Sequence, residues 1–187
     1  FLVFFPLAAG ALLALMPRGA EKSARLWATL AATIELLVSL PLWWRVVPGQ
    51  PGFQFVESVA WIPSIGARYH LGVDGVSALL GLLTTLMTLV SIVAAWTSVE
   101  KRSREFFALL LALEAGMLGT FFSLDLLLFY VFWEAMLIPM YLLIGVWGGT
   151  RRVYAAVKFF LYTMAGSVLM LVAILSLYQM QKQFSGV

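Results

Sequence analysis

The chain has 187 residues, of which 63% are hydrophobic and 11% charged. A soluble domain of that length needs more polar surface, so the composition is that of an integral membrane protein. The formal charge of +3 is a loop excess of the kind that orients membrane proteins, and points to no nucleic-acid partner. There is no cysteine, hence no disulfide, thiolate metal site or thiol redox chemistry. One histidine and no clustered carboxylates argue against a metal centre, and His70 is the one imidazole that could ligate haem.

Six apolar segments follow in chain order: Phe1–Met16, Leu26–Val47, Val76–Ser98, Phe106–Ser123, Leu126–Trp147 and Tyr154–Gln179. The expected fold is all-α, a polytopic transmembrane bundle of about six helices in one membrane domain over residues 1–187. The first segment lacks the basic start and cleavage site of a secretory signal. It also lacks an initiator Met, and both ends read as those of a fragment. Residues 48–74 form a long loop in which Phe53-Gln54-Phe55 suggests a short strand. Trp61-Ile62-Pro63 suggests an interfacial anchor and Gly72-Val73-Asp74-Gly75 a turn, with Asp74 as N-cap of the third span. His70 reads as an interfacial polar residue.

Charges in the connections alternate. Arg18, Lys22, Arg25, Lys101, Arg102, Arg104, Arg151 and Arg152 fall on one side, and Arg45, Arg68 and Lys182 on the other. Eight against three makes the first side cytoplasmic. Both ends of the chain, and the loop at 48–74, then face away from the cytoplasm.

Glu35, Glu114 and Glu134 lie near mid-span. Leu126–Trp147 carries no other charge than Glu134, and as a helix it is about 33 Å long. A carboxylate at that depth must be protonated, paired or hydrated, which makes it a functional-site candidate. Pro139, five residues on, removes a backbone donor and predicts a helix distortion beside the acid. Asp125 marks a turn from which Glu114 and Glu134 lie at similar depths, within about 3 Å along the axis.

At 100° per residue Tyr130, Glu134, Tyr141 and Gly145 share a face. Glu35 shares one with Ala28, Ala31, Ala32 and Ser39, which invites close helix approach. Glu114 lies among Phe107, Met117, Leu118 and Phe121, opposite Ala112, Gly116, Gly119 and Ser123, and so stands less obviously on a polar path. Each acid has a simpler reading as a neutral packing residue. Lys158, with Tyr154 and Tyr162, lies about a turn inside the cytoplasmic end and is placed to snorkel. A cation approaching a carboxylate to 4 Å is worth roughly 4 kcal/mol at an effective dielectric of about 20, enough to drive proton release. No lysine lies at the depth of Glu134, so the chain carries half of such a switch.

Several strings carry a family resemblance: Glu114-Ala115-Gly116-Met117-Leu118-Gly119 through Asp125 to Phe132-Trp133-Glu134-Ala135-Met136-Leu137-Ile138-Pro139-Met140-Tyr141, with Leu71-Gly72-Val73-Asp74-Gly75-Val76-Ser77 and Lys158-Phe159-Phe160-Leu161-Tyr162-Thr163. They resemble the antiporter-like membrane subunits of respiratory complex I, NADH:quinone oxidoreductase. Pro139-Met140-Tyr141 is similar to the M (chain 4) type rather than the L and N types. The resemblance implies a proton-translocating channel subunit of inverted helical repeats, present here as an N-terminal portion with an incomplete repeat. It implies that Glu134 is the proton-loading acid, whose lysine partner lies on a later helix absent here. Glu114, Lys158, Tyr130 and Tyr141 are then candidate path residues. It implies no redox cofactor or metal in this subunit, with NADH, FMN, Fe–S clusters and quinone elsewhere in the complex. Other membrane-arm subunits, L- and N-type neighbours among them, would be its partners, in a bacterial inner membrane. Two alternatives remain: a subunit of a multisubunit cation/proton antiporter, and a structural bundle without transport. No nucleophile–base pair or cofactor motif supports a membrane-embedded catalyst.

Overall fold

The computed structural model describes residues 1–17, 19–47, 50 and 52–185. Arg18, the loop start at Pro48–Gly49, Pro51 and the terminal Gly186–Val187 lie outside the described residues. Among the described residues eight α-helices and one β-hairpin follow one another: α1 (Phe4–Leu15), α2 (Glu21–Ser39), α3 (Leu42–Arg45), β1 (Gln54–Ile62), β2 (Ala67–Val73), α4 (Gly75–Ser98), α5 (Ser103–Phe122), α6 (Leu126–Ala135), α7 (Leu137–Trp147) and α8 (Arg152–Ser185).

Among the described residues five stretches are long and apolar enough to cross a membrane: Glu21–Arg45, Gly75–Ser98, Ser103–Phe122, Leu126–Trp147 and Arg152–Phe184. The sixth expected span is the 12-residue α1, about 18 Å of helix and short of a bilayer core. It packs tightly nonetheless. A Cβ at Gly10 would stand 3.0 Å from the Ala108 carbonyl of α5, and Trp27 of α2 donates to the Ala9 carbonyl at 3.2 Å.

Two of the spans are interrupted, each at a proline. Pro41 has no N–H, so the chain tightens between α2 and α3, where Trp43 bonds back only to the Leu40 carbonyl, at 3.0 Å. Pro139 sits third in α7, where a missing N–H costs least, and the irregular residue is Met136, one turn earlier.

The long loop before α4 is more ordered than the sequence suggests. β1 runs the full length from Gln54 to Ile62 and pairs antiparallel with β2, with register irregularities between Gln54 and Glu57 and between Ala60 and Ile62. Phe55 takes φ +52 at the first of these, and Gly66 takes φ +70 at the turn, a conformation suited to glycine. β2 is the strand tied to the bundle. Leu71 bridges Ser123, and Asp125 Oδ2 accepts from the Arg68 amide at 3.2 Å. Asp74 caps α4 as expected: its Oδ1 accepts from the Ser77 amide at 2.7 Å, and the Ser77 hydroxyl accepts from the Asp74 amide at 2.8 Å.

Apolar packing forms two layers. Toward the basic loops, Ala24, Ala28, Ala31 and Ala32 of α2 close on Leu13, Ile92, Phe107 and Leu111. At the hairpin end Leu71 and Val73 of β2 meet Leu118, Phe122 and Leu128. Two arginines and a tryptophan at the other end hold helix ends and loops: Arg25 donates to the Val99 carbonyl at 3.0 Å, Arg104 to that of Met16, and Trp147 to that of Lys101 at 2.9 Å.

Candidate proton site at the α6–α7 break

Glu134 is the next-to-last residue of α6, two before the irregular Met136. The break exists because Pro139 cannot supply the N–H that would bond one turn back, to Ala135. The acid is half-buried, and its Oε1 is buried without a hydrogen-bond partner. Tyr130, one turn earlier on the same face, brings its hydroxyl beside the Glu134 carboxylate and beside the Ser167 hydroxyl of α8. Ser167 is 3% exposed, and its Oγ donates to the Met164 carbonyl at 3.0 Å. The arrangement is a short row of exchangeable groups, carboxylate, phenol and alcohol, between α6 and α8.

Ser167 was not among the residues expected at the site. Residue counting could have found it. It lies 15 residues after Arg152, and Glu134 lies 13 before Trp147, so equal rises from that end set both at one depth.

The other expected path residues separate. Tyr141 faces α8 but spends its ring on Phe160, edge-on at 5.6 Å. Gly145 lets α8 come close, and a Cβ there would stand 3.5 Å from that of Ala156. Lys158 is exposed at the basic end, with Nζ 5.8 Å from the centroid of the Tyr154 ring, and lines an open groove with Arg151, Tyr154 and Tyr162. The ion pairs found among the described residues join Arg102 and Arg104 to Glu105. Lys158 and Glu134 are not paired there.

Glu114 does not join Glu134. The Gly116 and Gly119 side of α5 meets α6–α7, where Met136 and Phe132 fill the space a Cβ would take. Glu114 lies on the other side, at 0% exposure, with neither oxygen hydrogen-bonded. There α5 packs on α2, whose Glu35 is also 0% exposed and unpartnered and whose charge acts on Glu114. The alanine face of α2 brings the two helices together, as its small residues suggest. Near Glu35, Ser39 Oγ and Thr85 Oγ1 form a buried hydrogen bond of 2.9 Å.

Among the described residues no group of three His, Cys, Asp or Glu side chains could hold a metal. His70 acts through its backbone: its carbonyl accepts from the Leu124 amide at 2.8 Å.

Residues 123–185 match the family described as NADH:quinone oxidoreductase/Mrp antiporter, transmembrane. NADH-quinone oxidoreductase subunit M of Rhodobacter capsulatus is 52% identical over 184 residues, which are 96% of this chain and 35% of that protein. NAD(P)H-quinone oxidoreductase chain 4 2 of Thermosynechococcus vestitus is 42% identical over 92% of this chain and 32% of its own length. This chain spans about a third of the length of the curated relatives it matches. A chain of the respiratory complex I structure from Thermus thermophilus with bound NADH superposes with a TM-score of 0.81 at 34% identity, over 99% of this chain and 36% of that one. The Mrp complex of Dietzia sp. shares the fold, with a TM-score of 0.73 at 23% identity, over 91% of this chain and 19% of that one.

Proposed function

We infer the function from one premise: this chain belongs to the M-type (chain 4) antiporter-like membrane subunits of NADH:quinone oxidoreductase. It is a multi-pass membrane protein, and it supplies the proton-entry part of a translocating subunit in which quinone reduction drives proton pumping. The observation that carries this reading is Glu134: a mid-membrane acid at a helix break, with one buried, unpartnered oxygen and the hydroxyls of Tyr130 and Ser167 beside it.

Protons enter from the basic, cytoplasmic end, where Arg151 and Lys158 line the open groove. They load onto Glu134. A cation brought near it by the rest of the subunit favours the carboxylate and releases the proton onward. Tyr130 and Ser167 orient the carboxyl. Pro139 supplies the irregular backbone that leaves room for exchange. Tyr141 supports α7 against α8 through Phe160. Glu114 is not part of this row.

Both chain ends lie on the non-cytoplasmic side of a bacterial inner membrane, with L- and N-type subunits as neighbours along the membrane arm. NADH, FMN, Fe–S clusters and quinone bind in other subunits. The cation/proton antiporter remains the second reading, because the matching family includes Mrp antiporters. The identities of 52% and 34% to the oxidoreductase subunit and the complex I chain favour the first.

The test is Glu134→Gln in the intact parent complex, with vesicle proton pumping and NADH:quinone turnover measured side by side. Pumping and turnover fall together while assembly stays normal. Unchanged pumping would reduce this acid to a packing residue and sink the proton-loading role.

A further inference from the structure

Two fully buried acids stand outside the row just described. Glu35 and Glu114 are each 0% exposed, and none of their four carboxyl oxygens has a hydrogen-bond partner. They come from different helices, α2 and α5, which pack directly against one another, and the charge of Glu35 acts on Glu114. A packing role would leave four lone acceptors unused in a dry interior, where unpaired polar groups are costly. The adjacent hydroxyls do not serve them, since Ser39 and Thr85 bond to each other.

The other elements around the pair offer no compensating charge. α1 and α4 contain no Asp, Glu, Lys, Arg or His. On α2 the cations Lys22 and Arg25 lie at the basic end, and Arg25 is ten residues from Glu35, about 15 Å along the helix. On α5 Arg104 and Glu105 lie at the same end, and Glu105 pairs with the arginines there. Glu134, Tyr130 and Tyr141 belong to α6 and α7, on the glycine side of α5. The ligand that satisfies two buried carboxylates without a cation between them is a proton.

We propose that Glu35 and Glu114 form a second proton-binding site, in which a carboxylic acid on one helix shares its proton with the carboxylate on the other. Uptake joins two carboxylates and one proton into a hydrogen-bonded acid–carboxylate pair, and release reverses it. No other bond changes. The carboxyls are not hydrogen-bonded to each other as they stand, so sharing the proton requires a change of glutamate rotamer. The site lies at the depth of Glu134 but across α5 from it, and it stands whether or not Glu134 loads protons.

The test is a pH titration of the carboxyl infrared bands in the intact parent complex, in a Glu134→Gln background that removes the third acid. The unsubstituted pair titrates in two coupled steps. Glu35→Gln moves the midpoint of Glu114 by about one pH unit or more, tenfold in proton affinity, and Glu114→Gln moves that of Glu35 reciprocally. Midpoints that stay in place show two independent packing acids and overturn the proposal. So does a parent protein with no protonated-carboxyl band sensitive to deuterium. Glu35→Asp and Glu114→Asp keep both carboxyls if a glutamine variant fails to assemble, and a midpoint of the unaltered acid that stays in place in both overturns the proposal in the same way. Failure of the Glu134 pumping test leaves this titration unaffected.

Discussion

The Leu124 amide donates to the His70 carbonyl at 2.8 Å, and this bond fastens the outer hairpin to the turn between α5 and α6. Asp125 completes the junction. Its Oδ1 accepts from the amides of Leu127 and Leu128 at 2.9 and 3.1 Å, and its Oδ2 from the Arg68 amide. One carboxylate thus starts the helix that carries Glu134 and holds the strand above it. Asp125→Ala should cost about 1–2 kcal/mol, the usual worth of an N-cap. Amide exchange should rise both at Leu127–Leu128 and at Arg68. A rise at the helix start alone would mean that the hairpin is held by other contacts.

The second capping acid gives a pH dependence. The Ser77 amide and hydroxyl beside Asp74, at the outer start of α4, hold its carboxyl below the usual aspartate range. A group depressed in the folded state stabilises it above the unfolded value, about 3.9, and that stabilisation is lost as pH falls through the folded value. Acidification below about pH 4 should therefore loosen the start of α4. Asp74→Asn, which caps without titrating, should flatten that part of the acid response when unfolding midpoints are followed against pH. An unaltered profile would remove Asp74 as the source.

The buried Ser39–Thr85 hydrogen bond ties α2 to α4. Within a membrane such bonds average about 0.6 kcal/mol in double-mutant cycles. The cycle of Ser39→Ala and Thr85→Val, read by unfolding in detergent micelles, should return a coupling of that order. A coupling of zero would show that the two hydroxyls are satisfied equally well by the carbonyls of their own helices, Leu36 and Leu82.

Tyr130→Phe removes the hydroxyl beside Glu134 and Ser167 but keeps the ring. Pumping in the parent complex should fall partway toward the level of Glu134→Gln, with assembly unchanged, and Ser167→Ala should fall less. Equal activity of Tyr130→Phe and the parent would take the phenol out of the proton row.

Much of this was legible in the chain. A lone acid in an apolar run, a proline five residues on, and Asp74 before an apolar helix each state their local consequence, and the structure has the break, the acid beside it and the Asp74 cap; Asp125, read only as marking a turn, proves to cap α6 as well. The alanines around Glu35 announced a close approach but not to what. Nothing in the spacing of α2 and α5 says that Glu35 and Glu114 are both buried where these helices pack, because that depends on how the helices rotate when packed. The hairpin was underestimated for a different reason. β1 is exposed along most of its length, so it lacks the alternation of a half-buried strand, and its order comes from pairing with β2. The first span was overestimated, because apolar residues at its ends extend the run without extending the helix.

The glycine side of α5 also bears on how this protein can drift in sequence. Gly116 has Met136 where its side chain would be, and Gly119 has Phe132. Neither position can grow unless the residue opposite shrinks. Positions 116 and 136, and 119 and 132, are therefore expected to change as compensating pairs, and a homologue with a larger residue at 119 should carry a smaller one at 132. Glu114, turned to the other side of the same helix, is under no such bookkeeping and is free to vary with Glu35 instead.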